Sequence, residues 1–380
     1  MGFLNIFKRK KPNIIMILID AGGRYDAIGK VGFYNKLKKD SVFLESLICY
    51  APYTIGCMNS MFSGMTGNKN GVNGYYKSYS FDKKNIFTLT QYLKEQGYRT
   101  ELDFVIKDVI PEQSFDAARI FEKNEKLDLF ERHAEILNRL KGKQPFFVFL
   151  DYDKIALELV PNIIKKYDDF SEEYFKKKGS NFERYVGWME RSGEYVKKMI
   201  DKTKELGLYD DSIIIILSDH GCSVGDRVGE KVYGVYLYDY TIKCWAYILG
   251  NSLPKNVEVK SLVRHIDILP TLLDMLKIRE KEGYKKIQGK SFLSYFSGKF
   301  DDRAAYSETG GLGGPTPSPE IHNVQSIRTN EWKLIYNKTS KAKELYSLVE
   351  DKEEKNNLIG KNPEIEKYLL DKMEFFSRES

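Results

Sequence analysis

The chain has 380 residues, of which 42% are hydrophobic and 30% are charged. This composition excludes a mainly disordered or fibrous chain and is sufficient for a large buried core. The 60 Lys and Arg residues exceed the 54 Asp and Glu residues only slightly, for a net charge of +6. The excess is spread along the chain, so the concentrated basic patch that nucleic-acid binding needs is not indicated.

Cysteine and histidine are both scarce. The four cysteines show neither a CxxC pair nor a zinc-finger spacing, and they are Cys49, Cys57, Cys222 and Cys244. Four cysteines in a chain of this length do not form a disulfide framework, which favours a reducing, cytoplasmic compartment. The chain also has only four histidines, so a His-rich metal site is disfavoured. One of them, His133, lies in a charged helical stretch and is predicted to be solvated.

The N-terminal residues 1–11 combine a very short apolar stretch with a basic run. No apolar run approaches the roughly 20 residues that a membrane span needs. A secretory signal has the reverse order of charge and apolar residues. Two interpretations of this tail stay open: a peripheral contact with an anionic membrane surface, or a solvated terminus.

Strand and helix patterns alternate along the first three quarters of the chain. Continuous apolar runs predict strands buried on both faces, at residues 14–19, 146–150, 213–217 and 244–249. Helical patterns lie between or after them, at residues 87–96, 182–206 and 268–276, the last with Asp267 as its predicted N-cap. This alternation predicts an α/β fold with a mostly parallel central sheet flanked by helices.

The pattern changes near residue 299. A Gly/Pro-rich loop at 310–319 is followed by short predicted strands and then by a charged helix from Pro363. We therefore predict a basic tail (1–11), a catalytic domain (12–298) and a small C-terminal α+β subdomain (299–380). Residues 154–178, which are charged and aromatic, are predicted to be a helical insertion.

Acidic residues follow three of the predicted strands. Asp20, Asp151 and the pair Asp219-His220 each come directly after or at the end of an apolar run. Because ligands bind at the carboxyl ends of parallel strands, these residues predict a shared site. Two carboxylates and one imidazole suit a divalent ion, which activates a weak hydroxyl nucleophile. A candidate hydroxyl lies in residues 51–64, where a loop leads into a short helix whose N-terminus can hold an oxyanion.

Several segments, in chain order, resemble the sulfatase-like branch of the alkaline phosphatase superfamily. Asp20 with Arg24 and Asp26 is similar to the opening motif of that family, and residues 205–221 are very similar to its second metal-ligand motif. Residues 51–54 resemble the nucleophile loop, since Ser63-Gly64 follows Thr54 at the family's spacing. Further resemblances lie at residues 237–239, 265–274 and 326–358. Together they cover nearly the whole chain and imply the fold of that superfamily.

The resemblance also implies a site. Asp20, Thr54, Asp219 and His220 would bind one divalent metal ion (Mn²⁺, Zn²⁺, Mg²⁺ or Ca²⁺), with Thr54 as the nucleophile. Neither Asp151 nor Asp153 has a His four residues later, so the second metal site of the two-metal phosphodiesterases is not expected. Four further residues are predicted to contact substrate: His322, Lys231, Asp151 and Asp153.

The chain departs from true sulfatases near the nucleophile. Those enzymes use a Cys or Ser in a Cys/Ser-x-Pro-x-Arg motif that matures to formylglycine, whereas the sequence after Cys57 lacks both the Pro and the Arg. Ala21 replaces the usual second Asp, and Glu101 begins the segment where arylsulfatases carry Gly-Lys-Trp-His. A Thr nucleophile instead resembles the phosphodiesterases and phosphoethanolamine transferases of the superfamily.

The resulting hypothesis is a metal-dependent enzyme that cleaves or transfers a phosphoester group through a covalent phosphothreonine at Thr54. Its expected substrate is a small-molecule or a glycan- or lipid-linked phosphoester, with no nucleic-acid partner. Two alternatives stay open: a sulfuric ester hydrolase, and a non-catalytic binding protein that retains the fold.

Overall fold

The computed structural model describes residues 11–75, 77–121, 126–310 and 323–378. Its larger sheet has nine strands in the order β4-β3-β5-β1-β6-β7-β2-β8, with β9 also pairing with β2. The strands are β1 (Asn13–Ile19), β2 (Val42–Ile48), β3 (Arg99–Phe104), β4 (Ala117–Ile120), β5 (Phe146–Tyr152), β6 (Ser212–Leu217), β7 (Lys243–Leu249), β8 (Val257–Val259) and β9 (Val263–Arg264).

Strand direction sets where the chain's polar turns meet. β1 pairs in parallel with both β5 and β6, and β3 and β4 continue the parallel order. β7 is antiparallel to both of its described neighbours, β6 and β2. Consequently the carboxyl ends of β1, β2, β5 and β6 lie at one edge of the sheet, together with the start of β7.

Helices cover the sheet, and its central strands are therefore buried along their whole length. Every residue of β1, β5 and β6 is buried, as the continuous apolar runs predict. The helices are α1 (Tyr25–Ile28), α2 (Gly32–Leu37), α3 (Thr54–Ser63), α4 (Gly67–Asn70), α5 (Leu89–Glu95), α6 (Leu129–Leu140), α7 (Lys154–Leu159), α8 (Glu172–Lys176), α9 (Lys178–Glu205), α10 (Asp239–Ile242), α11 (Ile268–Leu276) and α12 (Pro363–Arg378). The predicted α/β fold is confirmed.

A second sheet follows the first. Its strands β10 (Ala305–Thr309), β11 (Val324–Arg328), β12 (Trp332–Asn337) and β13 (Lys343–Ser347) form an antiparallel meander in chain order. α12 packs against β11 and β12. This small antiparallel sheet with its helix confirms the predicted C-terminal α+β subdomain as an architecture.

The insertion at 154–178 is helical, as predicted, and consists of α7, a π-helical turn at Val160–Ile164, and α8. Within the described ranges, no helix combines the length and the apolar character needed to cross a membrane. Residues 1–10, which carry most of the predicted basic tail, lie outside the described part of the chain.

Candidate metal centre

Four of the predicted site residues meet at the carboxyl edge of the large sheet. Asp20 follows β1 directly, and Asp219 and His220 follow β6, which is paired with β1. Thr54 is the first residue of α3, which the loop after β2 brings to the same edge. The sheet order therefore brings together side chains that are up to 200 positions apart in sequence.

The distances within this group are short. The Thr54 hydroxyl donates to Asp20 Oδ1 over 3.4 Å and lies 3.3 Å from His220 Nε2. His220 Nε2 is in turn 3.3 Å from Asp219 Oδ2. One ligand atom from each of Asp20, Asp219 and His220 lies within 4.8 Å of the others. The three side chains are buried, and Thr54 is half-buried at the surface of the cluster.

The protonation states of His220 and Asp219 favour the binding of a cation. His220 Nδ1 donates to the carbonyl oxygen of Gly221 over 2.9 Å, which leaves the lone pair of Nε2 directed at the cluster. Burial lowers the pKa of His220, so the neutral ring is favoured. Burial raises the pKa of Asp219 to about 6, although Thr54 and backbone N–H groups favour its ionised form.

One atom of the cluster lacks a hydrogen bond. Asp219 Oδ2 is fully buried and has no hydrogen-bond partner among the described residues, although such atoms are almost always satisfied in native proteins. Two carboxylates and one neutral imidazole nitrogen form a donor set for a divalent ion. The residues present therefore fit one such ion.

The turn between β1 and α1 is held in a demanding conformation. Ala21 has a φ of +57°, which is uncommon for a residue other than glycine, and its N–H donates to Asp219 Oδ1 over 3.1 Å. Gly23 N donates to the carbonyl oxygen of His220 over 2.9 Å. The two metal-ligand turns are thus hydrogen-bonded directly to each other.

Asp151 and Asp153 lie beside this group. Asp151, at the end of β5, is fully buried; it accepts a hydrogen bond from Val105 N over 3.3 Å. Burial, followed by the negative charges of Asp20, Asp153 and Asp219, raises its pKa well above the usual range. The structure thus brings Asp151 close to the cluster as a carboxyl group that tends to keep its proton.

Lys231 is bonded elsewhere, and His322 is not described. Lys231 Nζ donates to the carbonyl oxygens of Ile164 and Tyr167 over 3.2 and 2.7 Å and lies 3.7 Å from Asp169, so it binds the insertion. His322, together with most of the predicted 310–319 loop, lies outside the described residues.

Two aromatic side chains neighbour the site: the sequence did not indicate Tyr233, whereas it indicated His265 as a packing residue at a helix entry. The Tyr233 ring lies 4.4 Å from the His220 ring, centroid to centroid, and covers one side of it. His265 Nε2 donates to the carbonyl oxygen of Ser218 over 3.1 Å, and burial, with the nearby His220, lowers the pKa of His265 to about 3. A neutral His265 therefore fixes the turn that precedes the metal-ligand pair, which agrees with its predicted packing role.

Cys57 lies in the same helix as Thr54 but is directed away from the cluster. Its fully buried thiol donates to the carbonyl oxygen of Ala51 over 2.9 Å, and burial raises its pKa. Its burial and this hydrogen bond make Cys57 a packing residue. The hydroxyl of Thr54, and not the thiol of Cys57, is presented at the N-terminus of α3.

Two family models match the chain. The Sulfatase model matches residues 12–278, and the model of the C-terminal part of N-sulphoglucosamine sulphohydrolase matches residues 236–378. Among curated relatives, arylsulfatase K of Bos taurus is 29% identical over 178 residues, which are 45% of this chain and 32% of that protein. The match thus spans about a third of the length of that relative.

Solved structures agree over the whole fold. A 2-O GAG sulfatase superposes with a TM-score of 0.77 at 16% identity, covering 97% of this chain and 93% of that one. The phosphonate monoester hydrolase of Agrobacterium radiobacter superposes with a TM-score of 0.73 at 15% identity, covering 97% and 96%. At such identities the superpositions establish the fold, while the activity has to be argued from the site.

Proposed function

Because the chain belongs to the sulfatase family, we propose that it is a metal-dependent enzyme that cleaves or transfers a phosphoester group through a covalent phosphothreonine at Thr54. The observation that carries this proposal is the position of the Thr54 hydroxyl, 3.4 Å from Asp20 Oδ1 and 3.3 Å from His220 Nε2. A hydroxyl beside candidate metal ligands, at the start of a helix, has the environment of an activated nucleophile.

The identity of the side chain at this position supports a phosphoester over a sulfate ester. In sulfatases the nucleophile is a formylglycine made from Cys or Ser, and Thr54 is neither. The nearby Cys57 is bonded to the Ala51 carbonyl and buried. A threonine can act as an alkoxide nucleophile without any such maturation, which is sufficient for displacement at phosphorus.

The residues have separate roles in this reaction. Thr54 Oγ1 forms the new P–O bond while the bond from phosphorus to the leaving alcohol breaks, and the hydroxyl proton has an acceptor in Asp20 Oδ1. The free N–H groups in the first turn of α3, which begins at Thr54, would stabilise the non-bridging oxygens. A divalent ion held by Asp20, Asp219 and His220 supplies Lewis-acid stabilisation of the developing charge.

The second half-reaction regenerates Thr54. The departed alkoxide takes a proton from solvent. Water or an acceptor alcohol then attacks the phosphothreonine and releases its proton to solvent, the Thr54 Oγ1–P bond breaks, and the proton held at Asp20 returns to Oγ1. Asp151 and Asp153 are proposed to contact the substrate at this edge of the sheet. The proposed substrate is a small-molecule phosphoester or one linked to a glycan or lipid, and the acceptor decides whether the enzyme is a hydrolase or a transferase.

Sulfuric ester hydrolysis is the second candidate. It is favoured by the match to the Sulfatase model and by the arylsulfatase relative. The same cluster would stabilise a sulfate group, which has the same tetrahedral shape. The two candidates differ in the atom that is attacked and in the need for a modified residue.

The test compares chromogenic phosphomonoesters, phosphodiesters and sulfate esters, each with Mn²⁺, Zn²⁺, Mg²⁺ and Ca²⁺. We expect phosphoester turnover, a metal-dependent phosphate adduct on Thr54 in mass spectra, and a loss on the order of 10⁴-fold or more in kcat for Thr54→Ala. Thr54→Ser should retain the adduct, and Thr339→Ala, which changes an exposed turn residue, should match the wild type.

Three outcomes would overturn the proposal. Sulfate release with no phosphoester turnover would support the sulfatase candidate. Full activity in Thr54→Ala would show that Thr54 is not the nucleophile. Failure to take up any of the four ions would favour a binding protein that retains the fold.

A further inference from the structure

A cavity with a volume of about 390 Å³ lies between the two sheets. None of the metal-centre residues lines it. Four basic side chains line it, namely Lys243, Lys260, Arg328 and Lys352, together with the acidic Glu45 and Asp239. A volume of this size is in the range of small-ligand pockets, which is roughly 300–1,000 Å³.

One wall of the cavity is formed by an irregular part of β2. The register between β2 and β7 shifts between Leu44 and Leu47, so that Glu45 and Ser46 lie outside the regular pairing. Bulges of this kind redirect side chains and are frequent beside functional sites. Here the bulge opens a recess at the start of β7, where Lys243 forms one wall, and the end of β11 contributes Arg328 from the other sheet.

The acidic charge of Asp239 is already compensated. Arg328 Nη2 and Lys333 Nζ donate to its carboxylate over 3.0 and 2.9 Å. Lys333 is fully buried and also pairs with Glu354 over 2.7 Å. These four groups form a buried network at one wall of the cavity, and Asp239 also acts electrostatically on Lys243.

Three further lysines line the cavity: Lys260 and Lys352 are exposed to solvent, and Lys243 is half-buried. The ammonium groups of Lys243, Lys260 and Lys352 make no hydrogen bond or ion pair with the described part of the chain; Lys243 only faces the Tyr25 ring at 4.4 Å. Burial lowers the pKa of Lys243; the negative charges of Asp239 and Glu45 oppose this shift, and the positive charges of Arg328 and Lys352 add to it. Glu45 offsets part of this positive charge, but it also makes no ion pair.

We propose that this cavity binds the phosphate or sulfate group of an anionic ligand, at a site separate from the metal centre. Lysine ammonium groups form strong, charge-assisted hydrogen bonds with such oxyanions. The hydroxyl groups of Ser46 and Ser261 and the amide of Asn330 line the same space and can complete the binding of the anion. The ligand would contact both sheets at once. The proposal does not depend on the reaction at Thr54.

The test measures binding by calorimetry and by the shift in melting temperature, with inorganic phosphate, inorganic sulfate and glucose 6-phosphate as probes. Chloride at equal ionic strength controls for general screening. We expect phosphate and sulfate to raise the melting temperature in proportion to the logarithm of their concentration. If glucose 6-phosphate binds more tightly than inorganic phosphate, the ligand is an organic ester. If the two bind equally, the ligand is a free anion. Either result supports the site.

Variants separate this cavity from the metal centre. Lys243→Met and the double variant Lys260→Gln/Lys352→Gln should each weaken binding about tenfold or more. The double variant changes exposed side chains only, so it tests the site even if Lys243→Met does not fold. Lys255→Gln, also exposed, is the matched control, and Asp219→Asn should retain binding. No binding, or binding lost in Asp219→Asn and kept in the lysine variants, would overturn the proposal.

Discussion

Gly23 links the two metal-ligand turns, and a single methyl group at this position should disable the centre. A Cβ at Gly23 would lie 2.5 Å from the carbonyl oxygen of His220, 2.6 Å from its carbonyl carbon and 2.8 Å from Cys244 Sγ. Ordinary van der Waals contact begins at 3.4 Å, so the His220 backbone or the Gly23 turn must move by about 0.9 Å.

This displacement acts directly on a proposed ligand. A shift of about 1 Å at a reacting centre is sufficient for a loss of roughly 10²-fold in rate. Overpacking at a buried site also costs about 1–3 kcal/mol of stability. For Gly23→Ala we therefore expect a metal affinity and a kcat that are each at least tenfold lower, in a protein that still folds.

The assay is metal titration by calorimetry, followed by turnover at saturating metal. Gly29→Ala is the matched control, because a Cβ there meets no atom within 4 Å. It should leave metal affinity and turnover unchanged. If Gly23→Ala bound metal and turned over substrate like Gly29→Ala, the proposed coupling between the two turns would be wrong.

Three further predictions concern stability. Asp239→Asn should lower the free energy of unfolding by about 3–5 kcal/mol in urea titrations, because Arg328 and Lys333 lose their buried counter-charge. Burial raises the pKa of Glu230 from 4.5 to about 7, so stability should fall by about 3 kcal/mol as pH rises from 4.5 to 7, and Glu230→Gln should remove that fall. A chelator should lower the melting temperature of the metal-loaded wild type but not that of Asp219→Asn.

Each of these predictions has a distinct contrary result. Asp239→Asn should differ clearly from Asp302→Asn, which changes an exposed residue; equal stabilities would contradict the interpretation of the buried network. For Glu230 the sign is fixed by the native carboxyl keeping a proton that the unfolded chain releases above pH 4.5. A wild-type minus variant difference that rises with pH would be the wrong sign. An equal effect of the chelator on wild type and Asp219→Asn would show that this cluster does not bind the ion.

The sequence predicted the fold and the central cluster because both depend on local signals. Asp20 and Asp219-His220 directly follow continuous apolar runs, and parallel strands bring such positions to one edge. The position of Thr54 depended on the resemblance, since nothing in its local composition distinguishes it from Ser60 or Ser63. The structure now gives a physical reason: only Thr54 begins α3, whereas Ser60 and Ser63 are fully buried inside it.

What the sequence did not predict depends on distant partners. β3 was missed because its Glu101 and Asp103 break the apolar pattern; both are fully buried and paired with basic side chains from other elements. The prediction that His133 is solvated was wrong: it is fully buried, with Tyr195 2.6 Å from Nδ1 and Asp103 3.3 Å from Nε2. Lys231 was predicted to contact substrate, yet its ammonium is bonded to carbonyl oxygens of the insertion. These partners become adjacent only after folding.

The attachment of the insertion at 154–178 has an evolutionary consequence. Lys231 holds it through the carbonyl oxygens of Ile164 and Tyr167, and the Tyr174 hydroxyl donates back to the Lys231 carbonyl over 2.6 Å. Four of the five groups in this anchor are main-chain or lysine atoms, so the exposed side chains of the insertion can be exchanged while the anchor persists. A deletion within the insertion would move these carbonyl oxygens away from Lys231 and so break the anchor. Selection can therefore diversify the exposed side chains of this segment, provided that its length and its buried residues Ile155, Leu159, Ile163 and Tyr174 are kept.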